Sequence, residues 1–295
     1  MSAADMRAAF AQTAVAALEE DTSVALVLAD ISAGYFAEAA ARHPDRVVNV
    51  GIREQLAVNV GAGMALSGMR PIVHTFAPFL VERAFEQIKL GFSHQDVGGV
   101  LVSVGASYDN SVSGRTHQAP GDVALVDTLP DWQIHVPGHA AELSALLRSA
   151  VAGDRRVYVR GSSASNTSAL PVGRTTIVRS GSRGSVLVIG PLLDQVLAAT
   201  EGLDLTVLYT ATARPLDTRP LIETLGGTDV VLVEPYAAGT SAWPVQQALS
   251  HVPHRLLGLG VPRVELRRYG TPKQHQAEHR LDAAGLRRSI ADFLE

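Results

Sequence analysis

Glu54 lies in the stretch Asn49-Val-Gly-Ile-Arg-Glu-Gln55, just beyond the short apolar run Val47 to Val50. A carboxylic acid there could hold or pass a proton. Taken alone, it reads first as an ordinary solvated acid in the first turn of a helix, stabilising the helix dipole. Thr75-Phe-Ala-Pro-Phe79 places Phe76 and Phe79 at the end of another apolar run, as a stacking wall or as plain core packing. Gly114-Arg-Thr-His-Gln118 ends a long polar loop with His117, whose unperturbed pKa of about 6.5 suits acid/base work near neutrality. In a loop rich in glycine and serine, a solvated surface histidine is the plain alternative. Asp30 closes an early strand, where it is a site residue or a helix N-cap, a role Ser32 could also fill. Arg160 closes a later strand, as an anion-binding group or as one half of a salt bridge to a partner domain.

These residues need a frame that brings strand ends together. Val24 to Ala29, Val47 to Val50, Pro71 to His74, Val100 to Val104, Gln133 to Val136 and Val157 to Val159 read as buried strands. Helical stretches are expected at Met6 to Leu18, Phe36 to Ala41, Arg53 to about Ser67, about Pro78 to Phe92, and Ala140 to Val151. In the Arg53 helix, Leu56, Val60 and Met64 recur at four-residue intervals, and Gly61 and Gly63 permit close backbone approach. Ligands of open α/β sheets collect at the carboxyl ends of the strands, where that helix begins.

The chain then changes character. Ser162-Ser-Ala-Ser-Asn-Thr-Ser168 and Ser180-Gly-Ser-Arg-Gly-Ser185 read as a linker around a short strand, Thr175 to Val178. Beyond it come strands at Val186 to Ile189, Leu205 to Tyr209, Val230 to Glu234 and Leu256 to Leu259, and a last helix from Ala283 to Leu294. The expected fold is therefore α/β, two domains of mostly parallel sheet flanked by helices, with boundaries at 1–165, a linker at 166–185, and 186–295.

Composition narrows the function. The 295 residues are 46% hydrophobic and 18% charged, as in a globular protein with ample cores. A net charge of −4 without basic runs argues against nucleic acid. With no cysteine, thiolate nucleophiles, disulfides and cysteine-bound metals are excluded. No signal layout opens the chain and no apolar run approaches the length of a membrane span, so a cytoplasmic location is expected.

Gly-Ile-Arg-Glu-Gln after a strand, with Thr-Phe at the next strand end and Gly-x-Thr-His-Gln in the loop, resembles the pyrimidine domain of transketolases and 1-deoxyxylulose-5-phosphate synthases. The second half resembles the transketolase C-terminal domain, down to Arg268-Tyr-Gly-Thr-Pro and Leu281-Asp-Ala-Ala-Gly285. The resemblance implies thiamine diphosphate as cofactor, with Glu54 meeting N1′ of its aminopyrimidine and Phe79 stacking on the ring beside Phe76. It places Asp30 near the thiazolium and His117 facing the substrate, with Gln118 orienting its neighbours. Arg160 would hold a sugar phosphate. Departures stand beside these matches. Ser113 replaces the aspartate expected to contact donor hydroxyls, and Gly105 and Gly34 stand where a histidine and a serine are expected. The departures set the chain apart from enzymes of the usual phosphorylated ketoses.

Members of that family bind Mg²⁺ and the diphosphate through Gly-Asp-Gly and a later asparagine. Here Gly121-Asp122 is followed by Val123, and Gly153-Asp154 by Arg155. The resemblance thus implies the C-terminal subunit of a split transketolase, paired with an N-terminal subunit that ligates Mg²⁺, in an α2β2 assembly. Its reaction would move a two-carbon ketol unit from a ketose-type donor to an aldehyde. The rivals are the β subunit of a 2-oxoacid dehydrogenase, a 1-deoxyxylulose-5-phosphate synthase-like enzyme, and a non-catalytic subunit that keeps the fold.

Overall fold

The computed structural model describes residues 5–295; the first four positions of the expected first domain lie outside the described residues. Asp5 caps α1 (Met6–Glu20) by accepting from the Arg7 amide. Met6, Phe10, Ala14, Ala17 and Leu18 bury one face of this helix against the sheet. Four apolar runs become the central strands β1 (Val24–Leu28), β3 (Arg70–Phe76), β4 (Gly99–Val104) and β6 (Arg156–Arg160). β2 (Val47–Asn49), β5 (Trp132–His135) and a late strand, β10 (Thr212–Arg214), complete a seven-stranded sheet in the order β10-β5-β6-β4-β3-β1-β2. All its pairings are parallel except the one between β10 and β5. This order sets the carboxyl ends of β6, β4, β3, β1 and β2 side by side. Asp30, the turn before Glu54, Phe76, Gly105 and Arg160 therefore share one edge.

A second sheet runs β12-β11-β8-β9-β7. Its strands are β7 (Thr176–Arg179), antiparallel at the edge, β8 (Gly184–Ile189), β9 (Thr206–Thr210), β11 (Asp229–Ala237) and β12 (Arg255–Val261). The protein thus has two mostly parallel α/β sheets flanked by helices. β10 departs from the reading of the sequence: the chain leaves the second sheet and pairs Thr212 with His135 and Arg214 with Ile134. Three residues without an apolar run carry no strand signal. Glu142 ties the halves together, its carboxylate accepting from the Gly138 amide at 2.8 Å, the Leu170 amide at 2.8 Å and the Tyr209 hydroxyl at 2.6 Å. Among the described residues no helix is long and apolar enough to cross a membrane.

One helical expectation is corrected and one is refined. In α3 (Glu54–Leu66) the buried positions are Glu54, Ala57, Val58, Gly61 and Ala62, while Leu56 is 43% exposed and Val60 and Met64 are half-buried against the core. Mostly small residues face the sheet because the helix lies close on it, and of the four-residue series Leu56 turns outward. The stretch from Pro78 to Phe92 is not one regular helix. It winds as a π-helical turn over Pro78–Glu82, a short α turn, α4 (Phe85–Gln87), and a second π-helical segment over Ile88–Ser93. Wider turns of this kind re-aim side chains and recur at functional sites.

Candidate active site

Asn49 builds the turn into α3. Its side-chain oxygen accepts from the amides of Asp30 and Gly51, each at 3.0 Å, and so fixes the end of β1 against the end of β2. Gly51 turns the chain at φ +71°, a conformation that costs glycine little. Glu54 follows as the first helical residue, only 2% exposed. Its Oε2 accepts from Arg83 Nη1 at 2.7 Å. The Arg83 guanidinium lies over the Phe79 ring, 4.1 Å from its centroid.

The aromatic residues converge from separate elements. The His117 ring is 4.9 Å from Phe79 and 5.8 Å from Phe76, and the two phenylalanines are 6.2 Å apart, all edge to face. Gly105, at φ +70°, allows this closeness: a Cβ there would lie 2.9 Å from Phe76 Cδ1. His117 Nδ1 bonds the Thr116 hydroxyl at 2.9 Å, which leaves Nε2 as the ring nitrogen not engaged by Thr116. Glu54, Arg83, Phe79, His117 and Phe76 thus form one continuous cluster of buried acid, planar cation and aromatic faces. An aminopyrimidine, flat and able to hydrogen-bond a carboxylic acid, suits such a surface. Among the described residues no three of His, Cys, Asp and Glu converge to hold a metal ion.

The other expected residues are placed differently. Asp30 stands exposed beside the cluster in a left-handed conformation, φ +68°. Ser32 makes no side-chain cap. Its hydroxyl accepts from Arg7 Nε and donates to His74 Nε2, each at 2.8 Å, because His74 Nδ1 must donate to the Val102 carbonyl. Burial drives the His74 pKa down to about 3, so its ring is neutral here and the relay is structural. Ser113 is exposed, its hydroxyl 3.3 Å from Asn110 Oδ1.

Gln118 is fully buried and reaches the Arg268 carbonyl at 3.4 Å; it anchors the tail to the loop and does not line an open substrate site. Arg160 also turns inward. Its Nε meets Asp122 Oδ2 at 2.7 Å, its Nη2 meets the Ser107 hydroxyl at 2.7 Å, and its guanidinium sits 5.6 Å from the Tyr236 ring of β11. Asp122 opens α5 (Asp122–Asp127) and is held further by the Tyr158 hydroxyl at 2.7 Å. As placed, Arg160 is committed to an internal pair and is not a free phosphate ligand, because its strand end is roofed by β11.

Arg83, Asn49 and Asp122 escaped the reading of the sequence. A signal existed only for Arg83, four residues after Phe79 on a helical stretch, where side chains meet.

Comparison with known proteins decides the family. Residues 2–166 match the family described as "Transketolase, pyrimidine binding domain". The chain belongs to the transketolase family. It is 52% identical, over 98% of its own length and 95% of the other's, to an "Uncharacterized 33.6 kDa protein in fasciation locus" of Rhodococcoides fascians. It is 34% identical over 85% of its length to 1-deoxy-D-xylulose-5-phosphate synthase of Acidovorax sp. (strain JS42), of which it spans 41%. Among solved structures it resembles "Split gene transketolase, inactive beta4 tetramer", with a TM-score of 0.84, 26% identity and 98% of each chain covered. This transketolase-family chain therefore spans about two-fifths of the synthase it matches, but nearly all of the split-gene protein.

Proposed function

We propose that this chain is the C-terminal, pyrimidine-side subunit of a two-component thiamine diphosphate enzyme that transfers a two-carbon ketol unit from a ketose-type donor to an aldehyde. The observation that carries the reading is the buried Glu54 carboxylate beside the Phe79 ring, held by an arginine that is itself 40% exposed. A buried acid needs a partner, and this one has a partner that solvent can take back. In bound form the cofactor supplies a thiazolium carbon able to add to the donor's carbonyl. Glu54 would hold the proton shared with N1′ of the aminopyrimidine. Phe79 and Phe76 would keep water from that proton, which strengthens the hydrogen bond. His117 Nε2 would exchange protons with substrate oxygens, and Asp30 would lie toward the thiazolium, as the family resemblance implies. Ser113 and Gln118 act on the loop that carries His117.

The reading assigns Mg²⁺ and the diphosphate to a complementary N-terminal subunit in an α2β2 complex. Support for a partner comes from Ile52, 72% exposed, and Leu56, two apolar residues exposed on either side of Glu54. The similar split-gene chain is described as an "inactive beta4 tetramer". Within this proposal the pyrimidine domain is 1–165, the connecting segment 166–185 and the C-terminal domain 186–295, working in the cytoplasm. A 1-deoxyxylulose-5-phosphate synthase-like reaction is a second reading, favoured by the 34% identity to such a synthase. The committed Arg160 argues against carrying over the phosphate contact in either case.

The test is hydrogen–deuterium exchange at the thiazolium carbon in the assembled enzyme. Glu54→Gln keeps the shape but cannot pass the proton, so exchange should slow by roughly 10²–10³-fold. Unchanged exchange would leave Glu54 a helix-start acid and end the proposal.

A further inference from the structure

Arg83 makes both of the contacts that the cluster offers to a flat nitrogen-bearing ring. Its guanidinium plane lies 4.1 Å above Phe79, and its Nη1 donates to Glu54 Oε2 at 2.7 Å. No other cation pairs with Glu54 among the described residues. From this juxtaposition we infer that Arg83 is a built-in stand-in for the aminopyrimidine: in the lone chain it fills the slot between Glu54 and Phe79, and it must swing out when the cofactor enters. The inference rests on the cofactor reading above and adds to it a competitor within the chain.

The physical case has several parts. A guanidinium is planar, can hydrogen-bond a carboxyl group and can stack on an aromatic face, so it can occupy the place of an aminopyrimidine, although it donates to Glu54 where N1′ would accept. Glu54 is almost completely buried, so an empty slot would leave a carboxylate without a partner. Arg83 removes that cost while the chain is alone. Its side chain keeps 40% of its surface in solvent, so the outward path is open and no core must move. The π-helical turn over Pro78–Glu82 holds the base of the side chain, with the Arg83 amide on the Pro78 carbonyl at 3.1 Å. That segment carries Phe79 and is capped by Arg83, and Arg83 reaches from the Phe79 ring to Glu54.

The consequence is a toll on cofactor affinity. If Arg83 fills the slot about nine-tenths of the time, apparent affinity for the ring falls about tenfold. Removing the side chain should therefore have opposed effects: weaker folding of the lone chain, because Glu54 loses its partner, and tighter binding of the ring. A purely structural arginine would give only the first effect, and a cofactor-binding arginine would weaken binding.

The experiment measures binding of thiamine, which carries the aminopyrimidine but no diphosphate, to the lone chain by calorimetry. Wild type, Arg83→Ala and Arg83→Gln are compared, with thermal unfolding recorded for each. The expected result is a lower unfolding temperature for Arg83→Ala with thiamine bound roughly 3–10-fold more tightly than by wild type. Arg83→Gln, which can still offer one amide donor, should fall between and serves if Arg83→Ala does not fold. Thiamine bound equally or more weakly by the variants overturns the inference. Thiamine diphosphate with Mg²⁺ is titrated in parallel into wild type assembled with its complementary subunit. Failure there overturns the cofactor reading and this inference together, whereas binding there with no tightening in the variants overturns this inference alone.

Discussion

Replacing Arg160 by methionine separates an internal strut from a ligand-binding arginine. Arg160 and Asp122 are both essentially without solvent contact, and Nε meets Oδ2 at 2.7 Å. Removing one partner of such a pair costs about 3–5 kcal/mol, because the other charge stays buried. Asp122 would not be left bare: Oδ2 keeps the Tyr158 hydroxyl at 2.7 Å and Oδ1 keeps the Val123 amide at 2.9 Å. The expected loss for Arg160→Met is therefore at the lower end, about 3 kcal/mol. Methionine refills part of the volume beside Tyr236, so a cavity adds little. For a chain of this size that loss lowers the unfolding temperature by roughly 6–12 °C.

The double variant Arg160→Met, Asp122→Asn removes both charges and should lose less than the sum of the single changes, with a coupling of about 1–3 kcal/mol. Thermal and urea unfolding of the four proteins measure it. A phosphate-binding arginine makes the opposite forecast. If Arg160→Met unfolds within about 2 °C of wild type, and KM in the assembled enzyme rises only for phosphorylated substrates, the internal-pair reasoning is refuted.

Burial, with one carboxyl oxygen left unpartnered, pushes Glu234 up to about 7. The folded chain thus holds that proton more tightly than the unfolded one. Its contribution is greatest below about pH 4.5 and fades by about 3 kcal/mol as pH rises through 7; Glu234→Gln should flatten that slope in urea midpoints measured from pH 5 to 8. His74 acts in the other direction: desolvation holds its pKa near 3, so its neutral ring contributes fully above about 6.5 and loses about 2 kcal/mol by pH 5. His74→Gln should remove this acid-side loss, read as a smaller difference between urea midpoints at pH 5 and 7.5. Gly105→Ala places a Cβ against Phe76 at φ +70° and should cost about 1–2 kcal/mol in thermal unfolding, with weaker cofactor binding in the assembled enzyme as Phe76 shifts.

What could be read from the sequence follows from how local each signal is. Glu54 was legible because its acid, the strand before it and the helix after it lie within a few residues, and the same holds for Phe76, Phe79 and His117. Arg160 was not, because its partner Asp122 lies 38 residues away on another element, and a strand-end arginine looks the same whether it meets a ligand or a buried acid. The burial of α3 was only partly legible for a different reason. Periodicity finds where large apolar residues recur, but Ala57, Gly61 and Ala62 are among the most buried positions, and Leu56 of the apolar series is exposed while Val60 and Met64 pack at the core's margin. An exposed apolar residue reads as core in a pattern that assumes one burial direction. Arg83 joins both difficulties: the wider π turn breaks the expected helical spacing, and its acid sits 29 residues before it. The groups to which the proposed function assigns the chemistry are thus written locally, and what packs against them is written elsewhere in the chain. The spacing of Arg83 from Phe79 hints at their contact, but its pairing with Glu54 becomes visible only when the fold brings the two together.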